Sequence, residues 1–127
     1  MKKLLALLFS LLISFNSYGD WMEFSEISEG NFYIDTDTIQ KKGGYVYWWE
    51  MFSSINSYDE QGHRSNQIYR LGDCQMLRDK PVSYIFYFGS MGNDIDYQYS
   101  PKDPDWYYSP PGTIAYNMLN FVCDYVK

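Results

Sequence analysis

Residues 45–55 read YVYWWEMFSSI, and this stretch decides the fold. Successive side chains of a β-strand point to opposite faces, so the stretch divides into two sets. One face carries Tyr45, Tyr47, Trp49 and Met51, and the other carries Val46, Trp48 and Phe52. Both sets are apolar or aromatic, which favours a strand in the middle of a sheet. We therefore predict a central strand with a helix over one face and partial cover over the other.

Five further segments show strand patterns on either side of this central strand. They are Trp21–Ser28, Phe32–Asp35, Arg64–Cys74, Val82–Phe88 and Asp94–Tyr99. Gly30-Asn31 and 41–44 (KKGG) separate the first three strands as turns, and Pro81 marks the start of the fifth. Asp35 to Thr38 is rich in side chains that bond to nearby backbone, so we expect the chain to turn there as well.

The sequence pattern changes at residue 100, where a proline-rich stretch begins, and again at residue 113, where helical spacing begins. Residues 100–112 contain four prolines together with Trp106, Tyr107 and Tyr108, which predicts an ordered loop held by its aromatic rings. Apolar residues then recur at helical spacing from Ile114 onward, and Thr113 is placed to cap that helix. The predicted fold class is α+β, with one antiparallel sheet of six strands and a C-terminal helix packed on one face.

The first 19 residues have the features of an export signal. Lys2 and Lys3 precede a nearly uninterrupted apolar run from Leu4 to Phe15, and small residues follow up to Gly19. A run of that length is too short to span a bilayer, which needs about 20 residues. We therefore predict a cleaved signal peptide over residues 1–19 and one domain over residues 20–127, exported to the periplasm or cell surface of a Gram-negative bacterium.

Cys74 and Cys123 are the only cysteines. An exported chain folds in an oxidising compartment, where two thiols tend to form a disulfide. The alternatives are two buried free thiols and, less favoured, metal binding with His63, the only histidine. Gly72 shares the strand face of Cys74 and has no side chain, so a helix could approach there and the bridge could join helix to sheet.

Charge and residue types exclude several functions. Removing Lys2 and Lys3 takes the formal charge from −6 to −8, and such an acidic domain is poorly suited to nucleic acid or to anionic lipid. With a single histidine, here expected in a solvated loop, a catalytic triad or a histidine-rich metal site has little support. We expect Asp94 and Asp96 to form an acidic exposed face rather than a catalytic carboxylate pair. The sequence therefore indicates no catalytic, cofactor-binding or metal-binding residue.

Aromatic residues make up a fifth of the chain, with 14 tyrosines, 8 phenylalanines and 4 tryptophans. The first interpretation is a small domain that fills its core with large rings. The second is a binding face, because tyrosine and tryptophan dominate interface hot spots. The candidates for that face are Tyr97, Tyr99, Trp106, Tyr107 and Tyr108. An exposed face of this kind also favours homodimer formation.

Three stretches in order resemble the bacterial surface-adhesin protein E-like domain family. The run from Phe32 to Gly44 resembles the family's opening, and Asp73-Cys74 with the aromatic strand after it resembles the family's middle. The stretches Trp106–Thr113 and Phe121–Cys123 resemble its close. The similarity covers nearly all of residues 20–127.

The resemblance implies an antiparallel sheet joined to a C-terminal helix by a Cys74–Cys123 disulfide. It also implies a non-enzymatic module that binds a protein partner, in some members a host protein. No cysteine follows the predicted cleavage point to carry a lipid, which favours the periplasm over surface display. A periplasmic accessory or structural protein without host contact is therefore the alternative function, and a small carboxylate-based hydrolase is the third hypothesis.

Overall fold

The structure, a computed structural model, describes residues 20–127. The predicted signal peptide, residues 1–19, lies outside the described residues. Six strands precede one helix, with a short 3-10 turn at Ser90–Gly92. The strands are β1 Trp21–Ile27, β2 Gly30–Lys42, β3 Tyr45–Ser54, β4 Ser65–Asp73, β5 Arg78–Tyr87 and β6 Ile95–Tyr99, and the helix is α1 Ile114–Tyr125. The predicted fold class is confirmed.

The strands form a single antiparallel meander in the order β1-β2-β3-β4-β5-β6. Each strand therefore pairs with the strand that precedes or follows it along the chain. Trp48 of β3 lies opposite Arg70 of β4, and Trp49 lies opposite Tyr69. This register keeps the two predicted faces of the central strand apart, with Trp48 buried on the helix side and Trp49 on the opposite side.

The turn predicted at Asp35 to Thr38 is wrong, because β2 continues through these residues. The local side-chain bonds that motivated the prediction do form. Asp35 accepts a bond from the backbone N–H of Asp37, and the Thr38 hydroxyl donates to the carbonyl of Asp35. Thr38 Oγ1 also accepts from the backbone N–H of Trp49 on β3 at 3.1 Å. The register of β2 against β3 therefore shifts between Asp35 and Gln40, and the two strands remain paired on both sides of this shift.

Pro81 lies inside β5, three residues after the strand begins at Arg78. The pairing of β4 with β5 shifts at this point, where Tyr69 faces Ser83 and the next residue, Arg70, faces Pro81. A proline cannot donate a ladder hydrogen bond, so an irregular position of this kind tolerates it. The proline marks a bulge within the strand rather than the start of the strand.

The core lies between α1 and the first four strands. Apolar side chains from both layers are buried there: Ile34, Val46 and Trp48 from the sheet, and Met118, Leu119 and Val122 from the helix. Thr113 caps the helix as predicted, since its Oγ1 accepts a bond from the backbone N–H of Tyr116 at 3.2 Å. The spacing of the buried helix residues therefore places one face of α1 on the sheet.

Gly72 allows the helix to approach β4. A Cβ atom at this position would lie 2.8 Å from Leu119 Cδ1 and 2.9 Å from Trp48 Cζ3, closer than side chains can pack. Next to it, the Cys74–Cys123 disulfide joins the end of β4 to the last turns of α1, with the two Cα atoms 5.8 Å apart. The close approach and the bridge together fix the position of the helix on the sheet.

Candidate functional site

The helix leaves part of its own side of the sheet uncovered, and aromatic side chains occupy that part. Among residues 20–127, the core that α1 forms with the sheet includes no side chain from β5 or β6. The rings there belong to Phe52, Tyr58, Tyr84, Phe86, Tyr97 and Tyr99, which we call the open aromatic face. Tyr97 and Tyr99 are 48% and 54% exposed, so the outer edge of the face is accessible to a partner.

The register of the strands produces this row of rings. Tyr84 of β5 faces Tyr99 of β6, and Phe86 faces Tyr97, so both pairs lie on one side of the sheet. The ring centroids of Phe86 and Tyr97 are 4.9 Å apart, and those of Tyr84 and Tyr99 are 6.3 Å apart. Tyr84 and Phe86 stack along the strand at 5.9 Å. The rings support one another, so the face is held in place before any partner binds.

His63 anchors one end of the open aromatic face. The expectation that it lies in a solvated loop is wrong, because the residue is only 1% exposed. Its Nδ1 lies 2.7 Å from Asp59 and its Nε2 lies 2.7 Å from Asp96. The imidazole therefore links the loop between β3 and β4 to the edge strand β6, and its ring packs against those of Phe86 and Phe88.

The two carboxylates favour the protonated form of His63. The hydrogen bond to Asp96 raises the pKa of the imidazole most, burial opposes the shift, and Asp59 adds to it, so that the pKa lies above 6.5. The pKa of Asp59 is correspondingly lowered, because bonds from the backbone and ring of His63 outweigh the effect of burial. Both ring nitrogens face a carboxylate, which leaves neither nitrogen available to a substrate. The cluster therefore has a positioning role.

The proline-rich loop packs against the beginning of β5. Trp106 stacks on two cations, with its ring centroid 4.3 Å from Arg78 Cζ and 4.4 Å from Lys80 Nζ. Tyr108 contacts the same arginine, whose Nη1 donates to the tyrosine hydroxyl at 3.3 Å. Between them, Tyr107 pairs with Asp79 through two backbone hydrogen bonds. The prediction of an ordered loop held by its aromatic rings is confirmed.

Asp73 holds Arg78 in position for these contacts. Its carboxylate accepts a bond from Arg78 Nε at 3.0 Å and further bonds from the backbone N–H groups of Gln75 and Met76. Burial alone would raise the pKa of Asp73, but these donors together lower it. The turn between β4 and β5 is thus fastened beside Cys74, and it presents the arginine to the loop.

The five aromatic residues predicted for a binding face do not all lie together. Tyr97 and Tyr99 stand side by side on the helix side of the sheet. Tyr107 is paired with Asp79, whose register places both on that same side, at its far end. Trp106 and Tyr108 alternate with Tyr107 and pack on Arg78 instead. Tyr84 and Phe86 were not predicted as members of a binding face. Their alternation along β5 would have indicated that the two rings share one side of the sheet.

The opposite side of the sheet has a second, smaller group of rings. Tyr69 lies between Tyr47 and Trp49, with ring centroids 5.8 Å and 5.0 Å away. These side chains are half-buried, and the ammonium nitrogen of Lys42 lies 6.0 Å from the ring centroid of Tyr47. These three rings are less exposed than Tyr97 and Tyr99, so the group serves as the control surface.

The described residues contain neither a metal-ligand cluster nor a helix able to cross a membrane. Among residues 20–127, no group of three or more His, Cys, Asp or Glu side chains is arranged to hold one metal ion. Asp59 and Asp96 bind different nitrogens of His63, so these three groups do not converge on one point. In the same residues, no helix has the length and apolar character needed to cross a membrane.

The chain is similar to several solved structures and to one protein-family model. No curated protein sequence matches the chain. Several solved structures of Haemophilus influenzae protein E are similar in fold. Crystal form II is 19% identical with a TM-score of 0.60, and the alignment covers 84% of this chain and 90% of that one. The selenomethionine form is 20% identical with a TM-score of 0.59, covering 82% and 85%.

A third structure, of protein E from non-typeable Haemophilus influenzae, is 19% identical with a TM-score of 0.58, covering 82% of this chain and 75% of that one. At this level of identity the structures establish a shared fold only. The family model described as surface-adhesin protein E matches residues 21–124, which is most of the chain and agrees with the resemblance noted from the sequence. The chain therefore belongs to the surface-adhesin protein E family.

Proposed function

We propose that this chain is an exported, non-enzymatic module that captures a protein partner on the open aromatic face. One observation carries the proposal: a supported row of rings stands exposed on a half of the sheet that the helix does not cover. Tyrosine rings provide large contact area and lose little conformational entropy on binding. Membership of a surface-adhesin family supports a binding role over a catalytic one.

The geometry of the face favours a protein over a charged ligand. Its outer members, Tyr97 and Tyr99, offer apolar rings with hydroxyl groups at their tips, the combination enriched at protein interfaces. The chain is acidic, with 16 acidic and 10 basic residues, so the surface would repel nucleic acid. A partner with an apolar patch rimmed by basic groups fits the face best.

The proposal is tested with a double variant, Tyr97→Ser with Tyr99→Ser. Wild type and variant are compared for binding to a panel of purified host surface and matrix proteins and to purified envelope proteins of a Gram-negative bacterium. Loss of hot-spot residues costs about 2 kcal/mol or more, so affinity for the true partner should fall by about thirtyfold. The control is Tyr47→Ser with Tyr69→Ser, which removes two rings from the opposite side of the sheet.

Two results would contradict this assignment. The double variant could bind every partner as tightly as wild type, or the control variant could lose as much affinity as the test variant. Either result would mean that the partner does not bind through Tyr97 and Tyr99 of β6. Failure of the wild-type protein to bind any member of the panel would count against a protein-binding function itself.

For location, we propose export with residues 1–19 as the cleaved leader, and residence in the periplasm or at the cell surface. The disulfide supports this, because such bonds persist in oxidising compartments. Protease treatment of intact cells distinguishes the two addresses. Digestion of the protein would favour attachment to a host, and full protection would favour the role of a periplasmic accessory protein.

A further inference from the structure

The imidazole of His63 joins the loop between β3 and β4 to the edge strand β6. Asp59 of the loop lies 2.7 Å from Nδ1, and Asp96 of β6 lies 2.7 Å from Nε2. The residue is 1% exposed, so solvent has little access to either contact. An imidazole donates from both nitrogens only when it is protonated, because the neutral ring carries a single N–H group. Both contacts are therefore hydrogen bonds at the same time only in the protonated state.

A β-bulge on β6 brings Asp96 to this ring. The register of β6 against β5 passes directly from Tyr97 to Ile95, so Asp96 is an extra residue without a partner on β5. Consecutive residues of a regular strand point to opposite sides, which would turn Asp96 away from the side of Tyr97. The bulge re-aims the carboxylate, and both neighbours reach His63, with the rings of Tyr97 and His63 6.0 Å apart. The backbone of β6 is thus shaped for the contact with the imidazole.

The other groups around the ring favour a positive charge on it. The titratable groups packed against it are Asp59 and Tyr58 from the loop and Asp96 and Tyr97 from β6. Strand β5 contributes the uncharged rings of Phe86 and Phe88. Arg64, the next residue in the chain, directs its Nη2 to the carbonyl of Ile55. Two carboxylates in direct contact therefore dominate the surroundings, in agreement with the raised pKa of His63.

Loss of the proton affects the two contacts unequally. The neutral ring keeps one N–H group, so its other nitrogen presents a lone pair to a carboxylate oxygen and the two acceptors repel each other. Asp59 stays attached in either case, because it also accepts a bond from the backbone N–H of His63 at 2.9 Å. Among residues 20–127, the carboxylate of Asp96 is bonded to Nε2 alone, and it belongs to an edge strand whose five residues are all exposed. The contact that breaks is therefore the one to β6.

From these observations we propose that the proton on His63 is a switch that fastens β6 to the loop between β3 and β4, and that its loss loosens the edge strand and the outer rings of the open aromatic face. Those rings are Tyr97 and Tyr99. Partner capture is then strongest while His63 is protonated and weakens as the pH rises through its folded-state pKa. This consequence for binding rests on the proposed function, whereas the attachment of β6 does not.

The test uses the whole exported domain, free of tags and without a partner. His63 is the only histidine, so its Cε1–H signal reports the protonation of this one ring. Hydrogen exchange over a pH series gives the protection factors of the β6 amides, with the β3 amides as the internal reference. We expect the protection of β6 to fall about tenfold with the same midpoint as the His63 signal, as for loss of a bond to a charged group. The nuclear Overhauser effect between the rings of Phe86 and Tyr97 should weaken over the same range.

The variant Asp96→Asn separates a proton switch from a merely structural contact. The asparagine amide donates to the unprotonated Nε2, so β6 should stay protected when His63 loses its proton. Asp94→Asn is the matched control, because it removes an exposed carboxylate two positions away, and it should behave like wild type.

Three outcomes would overturn the proposal. They are a protection of β6 that stays constant while His63 titrates, an equal loss of protection in β3, and a pH dependence in Asp96→Asn that matches wild type. The binding panel is then repeated below and above the midpoint with each protein that wild type binds. Affinity should fall about tenfold for wild type and stay constant for Asp96→Asn, and equal affinity of wild type at both pH values would refute control of binding by His63. A panel without any binding protein would count against the proposed function, while hydrogen exchange still decides the attachment of β6.

Discussion

Removal of the Cys74–Cys123 bridge should cost this domain a large share of its stability. The two cysteines are 49 positions apart, so the bridge closes a loop of about 50 residues in the unfolded chain. In the chain-entropy description, a closed loop of this size contributes about 4 kcal/mol to the free energy of unfolding. Domains of this size have total stabilities of about 5–15 kcal/mol.

The perturbation is the double variant Cys74→Ala with Cys123→Ala, which removes the bridge without leaving a free thiol. Urea unfolding, followed by tryptophan fluorescence and circular dichroism, measures the free energy of unfolding of wild type and variant. We expect a decrease of about 4 kcal/mol. For a domain near 100 residues, this decrease lowers the melting temperature by about 20 °C.

The control is the wild-type protein after complete reduction, which has the same connectivity as the variant and should lose a similar free energy. A difference of less than about 1 kcal/mol between oxidised and bridge-free protein would refute the reasoning, because the bridge would then not constrain the unfolded chain. Two titratable thiols in denatured, unreduced wild type would refute it more directly.

Three further predictions concern single side chains. Gly72→Ala should lower the free energy of unfolding by about 1–3 kcal/mol, since the new methyl group would meet Leu119, Trp48 and Val46 at 3.0 Å or less. Urea unfolding measures this loss. A loss under about 0.5 kcal/mol, half the smallest expected cost, would contradict the close approach of helix and strand. Thr113→Ala removes the cap of α1 and should cost about 1 kcal/mol in the same assay, while Thr113→Ser should restore most of it. The folded-state pKa of His63 lies above 6.5, so its contribution to stability is complete below pH 6.5 and is lost as the pH rises through that folded-state pKa. The melting temperature of wild type should therefore fall more steeply than that of His63→Gln as the pH rises above 6.5, and parallel curves would show that the imidazole does not titrate in this way.

Local patterns in the sequence were enough to predict the layers of the fold. Alternation in residues 45–55 placed Trp48 and Trp49 on opposite sides, because the period of a strand is fixed by its backbone geometry. The same logic located the helix from the spacing of its apolar residues. Gly72 next to Cys74 indicated where the helix approaches, since a missing side chain leaves room for another element.

Predictions that depended on distant contacts were less successful. Asp35 to Thr38 form the side-chain bonds typical of a turn, yet pairing with Trp49 of β3 keeps the strand continuous. His63 looked solvated because Asp96, its partner on Nε2, lies 33 positions away. In both cases a partner from elsewhere in the sheet outweighs the local preference, and such a partner cannot be identified from one sequence.

The candidate binding residues illustrate the same limit. Tyr97 and Tyr99 were identified because alternation on an edge strand is a local signal. Trp106 and Tyr108 were predicted to belong to the same binding face. In the structure both side chains instead contact Arg78 at the start of β5. The open aromatic face is thus assembled by the register of β3, β4, β5 and β6, which the sequence patterns did not determine.

The meander order of the strands has a consequence for how the chain folds. Every strand pairs with its neighbour in sequence, so the sheet can form hairpin by hairpin in the order of the chain. The helix follows all six strands in the chain, and until it docks, Ile34, Val46 and Trp48 remain in contact with water. We therefore expect oxidation of Cys74 and Cys123 to be a late step, which pulsed thiol alkylation during refolding would time against formation of the sheet.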